Sequence, residues 1–147
     1  MRILGLKNFT PQTVLTGGTV NLGSSYRRFD KKNNCGIFAF SDNGTSVTLN
    51  QSGMYHITVT ATFTAPAAGD VTLQLYEDGQ PISGALATES ITTATTEFRS
   101  VAIDYFIKVD KDFIMNTFST DAASITLVNT GVGATITNVA FNVEKVD

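Results

Sequence analysis

Between Tyr55 and Phe63 every second residue is apolar: Tyr55, Ile57, Val59, Ala61 and Phe63. Met54, His56, Thr58, Thr60, Thr62 and Thr64 occupy the other positions. The period is two rather than 3.6, which predicts a long strand with one apolar face. APAAGD breaks this strand. VTLQLY then alternates again, with Val71, Leu73 and Leu75 on one side and Thr72, Gln74 and Tyr76 on the other. FRSVAIDYFIKV repeats the pattern. Val101, Ile103, Tyr105, Ile107 and Val109 share one face, and Ala102, Asp104, Phe106 and Lys108 share the opposite one. In ATITNVAFNVEKV, Val139, Phe141 and Val143 alternate with Asn138, Ala140, Asn142 and Glu144.

Turn signals punctuate these runs. Gly17-Gly18 lies among Val14, Val20 and Leu22. Asp42-Asn43-Gly44 separates Ile37–Phe40 from Val47 and Leu49, the pattern of a tight hairpin. Glu77-Asp78-Gly79-Gln80 is a second tight turn. Ser83 to Thr96, SGALATESITTATT, is small and polar and reads as a long connection with a short edge strand. FIMNTF and SITLVNTG supply further short runs. The sum is roughly eight to ten short strands with turns about every ten residues, the pattern of a sandwich or jelly roll. No helix is needed, and no internal repeat or linker is visible.

Composition sharpens this picture. The 147 residues suffice for one domain with a core. Only 16% are charged, while Thr and Val, which suit pleated half-buried surfaces, are abundant. The net charge of -3 argues against a generic nucleic-acid surface. One basic cluster exists, Arg27, Arg28, Lys31 and Lys32 in YRRFDKKNN. It reads as a solvated loop, or as a loop, with Tyr26, that contacts a negative surface. The single cysteine, Cys35, forbids an intrachain disulfide, and its apolar surroundings suggest an inert buried thiol. No stretch reaches the roughly 18 apolar residues of a membrane span. MRILGLKNFTPQ lacks a signal-peptide core, which points away from ordinary export. Residues 1–12 read as a short segment before the domain at 13–147. Its Ile3, Leu4, Leu6 and Phe9 would serve either as a docking peg that orders on binding or as an edge strand.

Catalytic chemistry finds few residues. His56 is the sole imidazole, mid-strand on a threonine face, with no G-x-S-x-G elbow. One His and one Cys do not make a zinc set. The Asp residues are scattered over turns. Asp110-Lys111-Asp112 would hold calcium only weakly and is more simply a solvated turn. No metal, cofactor or enzymatic activity is expected.

SGMYHITVTATF followed by GDVTLQLYEDGQPI resembles the C1q/TNF-like jelly rolls, in particular their bacterial and phage branch. That branch includes the C-terminal domains of spore-surface collagen-like glycoproteins and phage head-fibre or decoration proteins. The resembling elements are Gly53 and Tyr55, Gly69 to Leu75, Gly79, SITLVNTG, and Thr137-Asn138-Val139, with GGTVNLG and GTSVTLNQSG upstream. The resemblance covers about residues 13 to 146. It implies two antiparallel sheets, a homotrimer, and a threefold axis lined by strands at 54–63, 101–109 and 136–146. His56, Thr58, Phe106 and Asn142 would then face neighbouring subunits. The alternative orientation, with Phe106 in the core and Tyr105 outside, also remains open. The spore glycoproteins carry a long collagen-like stalk before this domain, whereas about a dozen residues stand before it in this sequence.

A nearly bare jelly roll suits a bacteriophage virion protein made in the host cytoplasm. It would be a capsid decoration, head fibre or small tail piece, in contact with capsid or tail proteins. The alternative is a module that binds a receptor or glycan on a bacterial surface through YRRFDKKNN and SGALATESITTATT. The absence of tryptophan weakens that alternative.

Overall fold

The computed structural model describes residues 2–29, 36–110, 113–114, 117–118 and 122–146. Cys35, Lys31 and Lys32 lie outside the described residues, as do Lys111 and Asp112 of the Asp-Lys-Asp turn. The described chain is entirely strand, turn and loop. In order the strands are β1 (Arg2–Asn8), β2 (Gln12–Val14), β3 (Ser24–Phe29), β4 (Phe38–Phe40), β5 (Ser46–Leu49), β6 (Gly53–Thr64) and β7 (Gly69–Glu77). They continue with β8 (Gln80–Ile91), β9 (Arg99–Val109), β10 (Phe113–Ile114), β11 (Thr117–Phe118), β12 (Ala123–Asn129) and β13 (Ala134–Lys145).

Two antiparallel sheets form the domain. The first runs β3-β1-β13-β6-β9, with β2 pairing the start of β13. The second runs β4-β5-β12-β7-β8. The apolar rows seen in the sequence meet between them. Tyr55, Ile57, Val59, Ala61 and Phe63 of β6 are buried, as are Val71, Leu73 and Leu75 of β7 and Ile125 and Leu127 of β12. Cross-strand pairs such as Ile57 with Val143 and Val59 with Phe141 fix the register of the inner face. In β13 a strict period of two would bury Asn138 after Ile136. A bulge between Ile136 and Asn138 resets the phase, so Val139, Phe141 and Val143 point inward.

Phe106 is exposed and Tyr105 packs at the core margin, so the alternative orientation of β9 is excluded. Three other expectations need correction. Residues 2–8 are an interior strand, paired by β13 on one side and β3 on the other. Leu4 and Leu6 lie in the core and are not part of a docking surface. Tyr26, Arg27 and Arg28 belong to β3 rather than to a loop. Ser83 to Thr96 is mostly β8, a strand of 12 residues. The sequence pattern of β8 is masked because an irregularity opposite Gln74 and Tyr76 interrupts its alternation, with Gly84 at φ 86. Such breaks are common on edge strands and hinder edge-to-edge pairing.

The SITLVNTG motif proves to be architectural. Asn129 is buried, and its Nδ2 donates to the carbonyls of Val14 at 3.0 Å and Val132 at 2.8 Å. Its Oδ1 accepts from Gly131 N at 3.0 Å. The side chain thereby ties the β2 end to the β12–β13 turn. A Cβ on Gly131 would stand 2.3 Å from the Asp70 carbonyl oxygen, so only glycine fits there. Asn129→Ala removes the side-chain partner of the Val14 carbonyl, which is buried, and of the part-buried Val132 carbonyl and Gly131 N–H, at about 1–3 kcal/mol for a group left buried and less for the others. Its urea midpoint is expected to correspond to a loss of about 2–4 kcal/mol. A loss below about 0.5 kcal/mol would show that water replaces the amide without penalty.

Candidate functional site

The side of the first sheet that faces away from the core carries its unusual chemistry. Register alone assigns the residues. One cross-strand row reads Phe29, Ile3, Glu144, His56, Phe106. The next reads Arg27, Gly5, Asn142, Thr58, Asp104. A third contains Lys7, Ala140, Thr60 and Ala102. His56, Thr58, Phe106 and Asn142 therefore share one face, as the alternation of β6, β9 and β13 predicts.

His56 sits between two carboxylates. Its Nε2 lies 2.5 Å from Asp104 Oδ1 and its Nδ1 lies 3.1 Å from Glu144 Oε1. The Phe106 ring stacks on the imidazole, with centroids 4.4 Å apart and planes 12° from parallel. Phe106 keeps 57% of its surface exposed. The bond to Asp104 raises the His56 pKa above 6.5, the bond to Glu144 adds to this, and partial burial opposes it. Both ring nitrogens point at carboxylates, which favours the doubly protonated imidazolium. An imidazole held in this way has no nitrogen free to take a proton from a nucleophile. Among the described residues, the His56 ring is bonded to these two carboxylates and to no hydroxyl or thiol.

A second feature adjoins it. A bulge in β3, opposite Gly5 and Leu6, swings Tyr26 over β1. A Cβ on Gly5 would fall 2.7 Å from the Tyr26 ring, so glycine is what lets the ring lie flat there. The Tyr26 hydroxyl bonds Asn142 Oδ1, and Lys7 Nζ stands 4.2 Å from the ring centroid. Together Ile3, Tyr26, Arg27, His56, Thr58 and Asn142 border a surface pocket of about 330 Å³.

The other expected site residues are dispersed. Arg28 turns to the opposite side, with Nη2 3.5 Å from the Phe38 carbonyl and its guanidinium 5.2 Å from the Phe40 centroid. Phe9 is exposed beside Lys7. Among the described residues no group of three or more His, Cys, Asp or Glu is placed to hold a metal ion. One further carboxylate stands out, Glu97, whose pKa falls to about 2. The Thr92 hydroxyl is the largest cause, with backbone N–H groups of Thr92 and Thr93 and Arg99 Nε also donating. These bonds close the β8–β9 turn on itself, a structural role. The alternation of β9 and β13 puts Asp104 and Glu144 on this face but carries no signal that marks them as partners of His56. Their meeting at His56 depends on register across 48 and 88 positions.

No family model matches the chain, and no curated protein matches it. Solved structures do. The globular domain of zebrafish complement 1qA protein superposes over 100% of this chain and 98% of its own, with TM-score 0.64 and 9% identity. Murine APRIL matches over 99% and 98%, with TM-score 0.63 and 11% identity. The PRD1 vertex protein P5, from a phage, matches over 99% and 97%, with TM-score 0.57 and 13% identity. The likeness establishes the fold. The chain is an all-β, two-sheet antiparallel jelly roll of the C1q and TNF type.

The histidine clamp gives a direct solution test. A raised folded-state pKa means that the clamp stabilises fully below about 6.5, and that this contribution fades as pH rises through the raised value. With one histidine in the chain, its proton resonance reports the site alone. The midpoint is expected above 6.5, with Asp104→Asn lowering it more than Glu144→Gln. The stability advantage over His56→Gln should shrink between pH 6 and 9. A midpoint at or below 6.5 would contradict the clamp.

Proposed function

We propose that the chain is a non-enzymatic structural protein of a bacteriophage particle. It acts as a homotrimeric jelly roll displayed on the particle surface, as a capsid decoration, head fibre or small tail component. Self-association uses the outer face of β13, β6 and β9. The observation that carries this is Phe106, an aromatic ring stacked on a clamped histidine in the middle of that face and still 57% open. A rigid, exposed aromatic among threonines and small residues is the composition of a contact surface rather than of a solvated one. The virion assignment draws on the resemblance to the phage branch and on the likeness to a phage vertex protein. The His56 geometry, with both nitrogens committed to carboxylates, supports the non-enzymatic part.

Recognition of a bacterial glycan is the second reading. The pocket favours it through an aromatic wall at Tyr26 and polar groups at Arg27, Asn142 and Thr58. The two readings use the same face and separate on oligomeric state. Phe106→Ala should dissociate the assembly at micromolar concentration in sedimentation velocity while the fold melts cooperatively. An intact trimer would remove this face from the interface. Antibodies to the chain should decorate intact particles of the virus that encodes it. Labelling confined to host lysate would oppose the virion role. Glycan binding lost in Tyr26→Ala, by a monomeric parent, would establish the second reading instead.

A further inference from the structure

The outer face of the first sheet has two unlike ends. At the β3 end stand Arg27 and Lys7, beside the Tyr26 ring and the pocket it borders. Arg27 makes no ion pair among the described residues. At the β9 end stand Asp104, with 70% of its side chain exposed, and Phe106, while Lys108 on the same face is engaged by Asp110 at 3.5 Å. Opposite charges and an exposed ring thus lie at opposite margins of one surface, with a pocket beside the basic margin.

A twofold contact pairs residue i with j and j with i, so a dimer uses both margins at once, whereas a threefold contact joins two different patches and leaves one of each for the next copy. In a threefold assembly the β9 margin of each copy meets the β3 margin of the next, which sets Asp104 against Arg27 and closes the ring at three chains. The register adds a positional argument. If the rotation axis runs along the strands, height along the strands is conserved, and residues on one cross-strand row face each other. Asp104 and Arg27 lie on one row, and Phe106 and Ile3 lie on the adjacent row. In the row beyond, Ala140, Thr60 and Ala102 are small and permit close approach, and Lys7 ends the row at the basic margin. The pocket, about 330 Å³ and open at the surface, offers Ile3, Val143 and the Tyr26 ring as apolar walls among polar groups that include Glu144.

We infer that the contact between copies is head-to-tail. Phe106 of one protomer enters the pocket bordered by Ile3, Tyr26 and Arg27 of the next, and Asp104 pairs with that Arg27. The pocket is complete only when a second copy fills it. This rests on the trimer reading and goes beyond it by naming which groups meet. It also makes assembly sensitive to salt, since both charges start exposed.

Disulfide trapping tests the arrangement. In a Cys35→Ser chain, Arg27→Cys and Asp104→Cys are introduced singly and together, oxidised, and run on a non-reducing denaturing gel. The double variant is expected to give a ladder ending at three chains, and the single variants no covalent species. A light-scattering trimer of the double variant without the 27–104 cross-link overturns this pairing of margins and leaves the trimer standing. A parent that is monomeric at all concentrations overturns both. A charge exchange guards against effects of the cysteines. Arg27→Asp should weaken association at least about tenfold, and adding Asp104→Arg in the same chain should recover most of it. Equal weakening by the single and the exchanged chain would oppose the pairing.

Discussion

Much of this protein follows from the pairing of β6 with β9 on one side and β13 on the other. That double pairing sorts twelve successive residues of β6 into two populations. Tyr55, Ile57, Val59, Ala61 and Phe63 turn inward and, opposite the rows of β7 and β12, form the core. His56, Thr58, Thr60 and Thr62 turn outward between the side chains of β9 and β13. A slip of one residue would exchange the two sets, so the burial of five apolar side chains holds the outer face in place. The face is precise because the core behind it is.

On that face, electrostatics and sterics are coupled. Asp104 and Glu144 raise the proton affinity of His56, and its ring lies flat against Phe106. A ring so held loses little rotamer freedom on binding, which lowers the cost of using it as an anchor. Across the sheet, Gly5 and the β3 bulge do the complementary work, since a missing side chain lets Tyr26 settle against Asn142 and leaves a pocket beside it. A knob and a hollow therefore arise on the same surface from different local devices. That is the arrangement a cyclic assembly needs, and it requires no catalytic group. The jelly roll supplies a stiff plate, and the fold alone assigns no chemistry to it.

The extent to which the sequence discloses this depends on distance along the chain. The alternation from Met54 to Thr64 discloses a strand and its inner face, because the period is a local property. Asn43-Gly44 and Asp78-Gly79 disclose hairpins, since Asn43 and Asp78 take positive φ, as the turns require. Asn129 and Gly131 are visible as a motif, and the structure supplies their reason. The place of β1 is not visible. Its neighbours β13 and β3 come from opposite ends of the chain, and RILGLKN has a weak pattern because Gly5 interrupts the outer row. β8 is hidden by its own irregularity, and the β3 bulge by polar residues that read equally well as a loop. The His56 clamp needs Asp104 and Glu144 at the same height, and periodicity along single strands gives no register between them.

The measurement that bears most directly on the central claim is the mass of the unaltered protein by light scattering at near-neutral pH and moderate salt. The proposed homotrimer predicts a mass near three times the 15.7 kDa of one chain. A stable monomer at high concentration would contradict a self-association surface on β13, β6 and β9, and would leave the Tyr26 pocket open for a ligand of another kind.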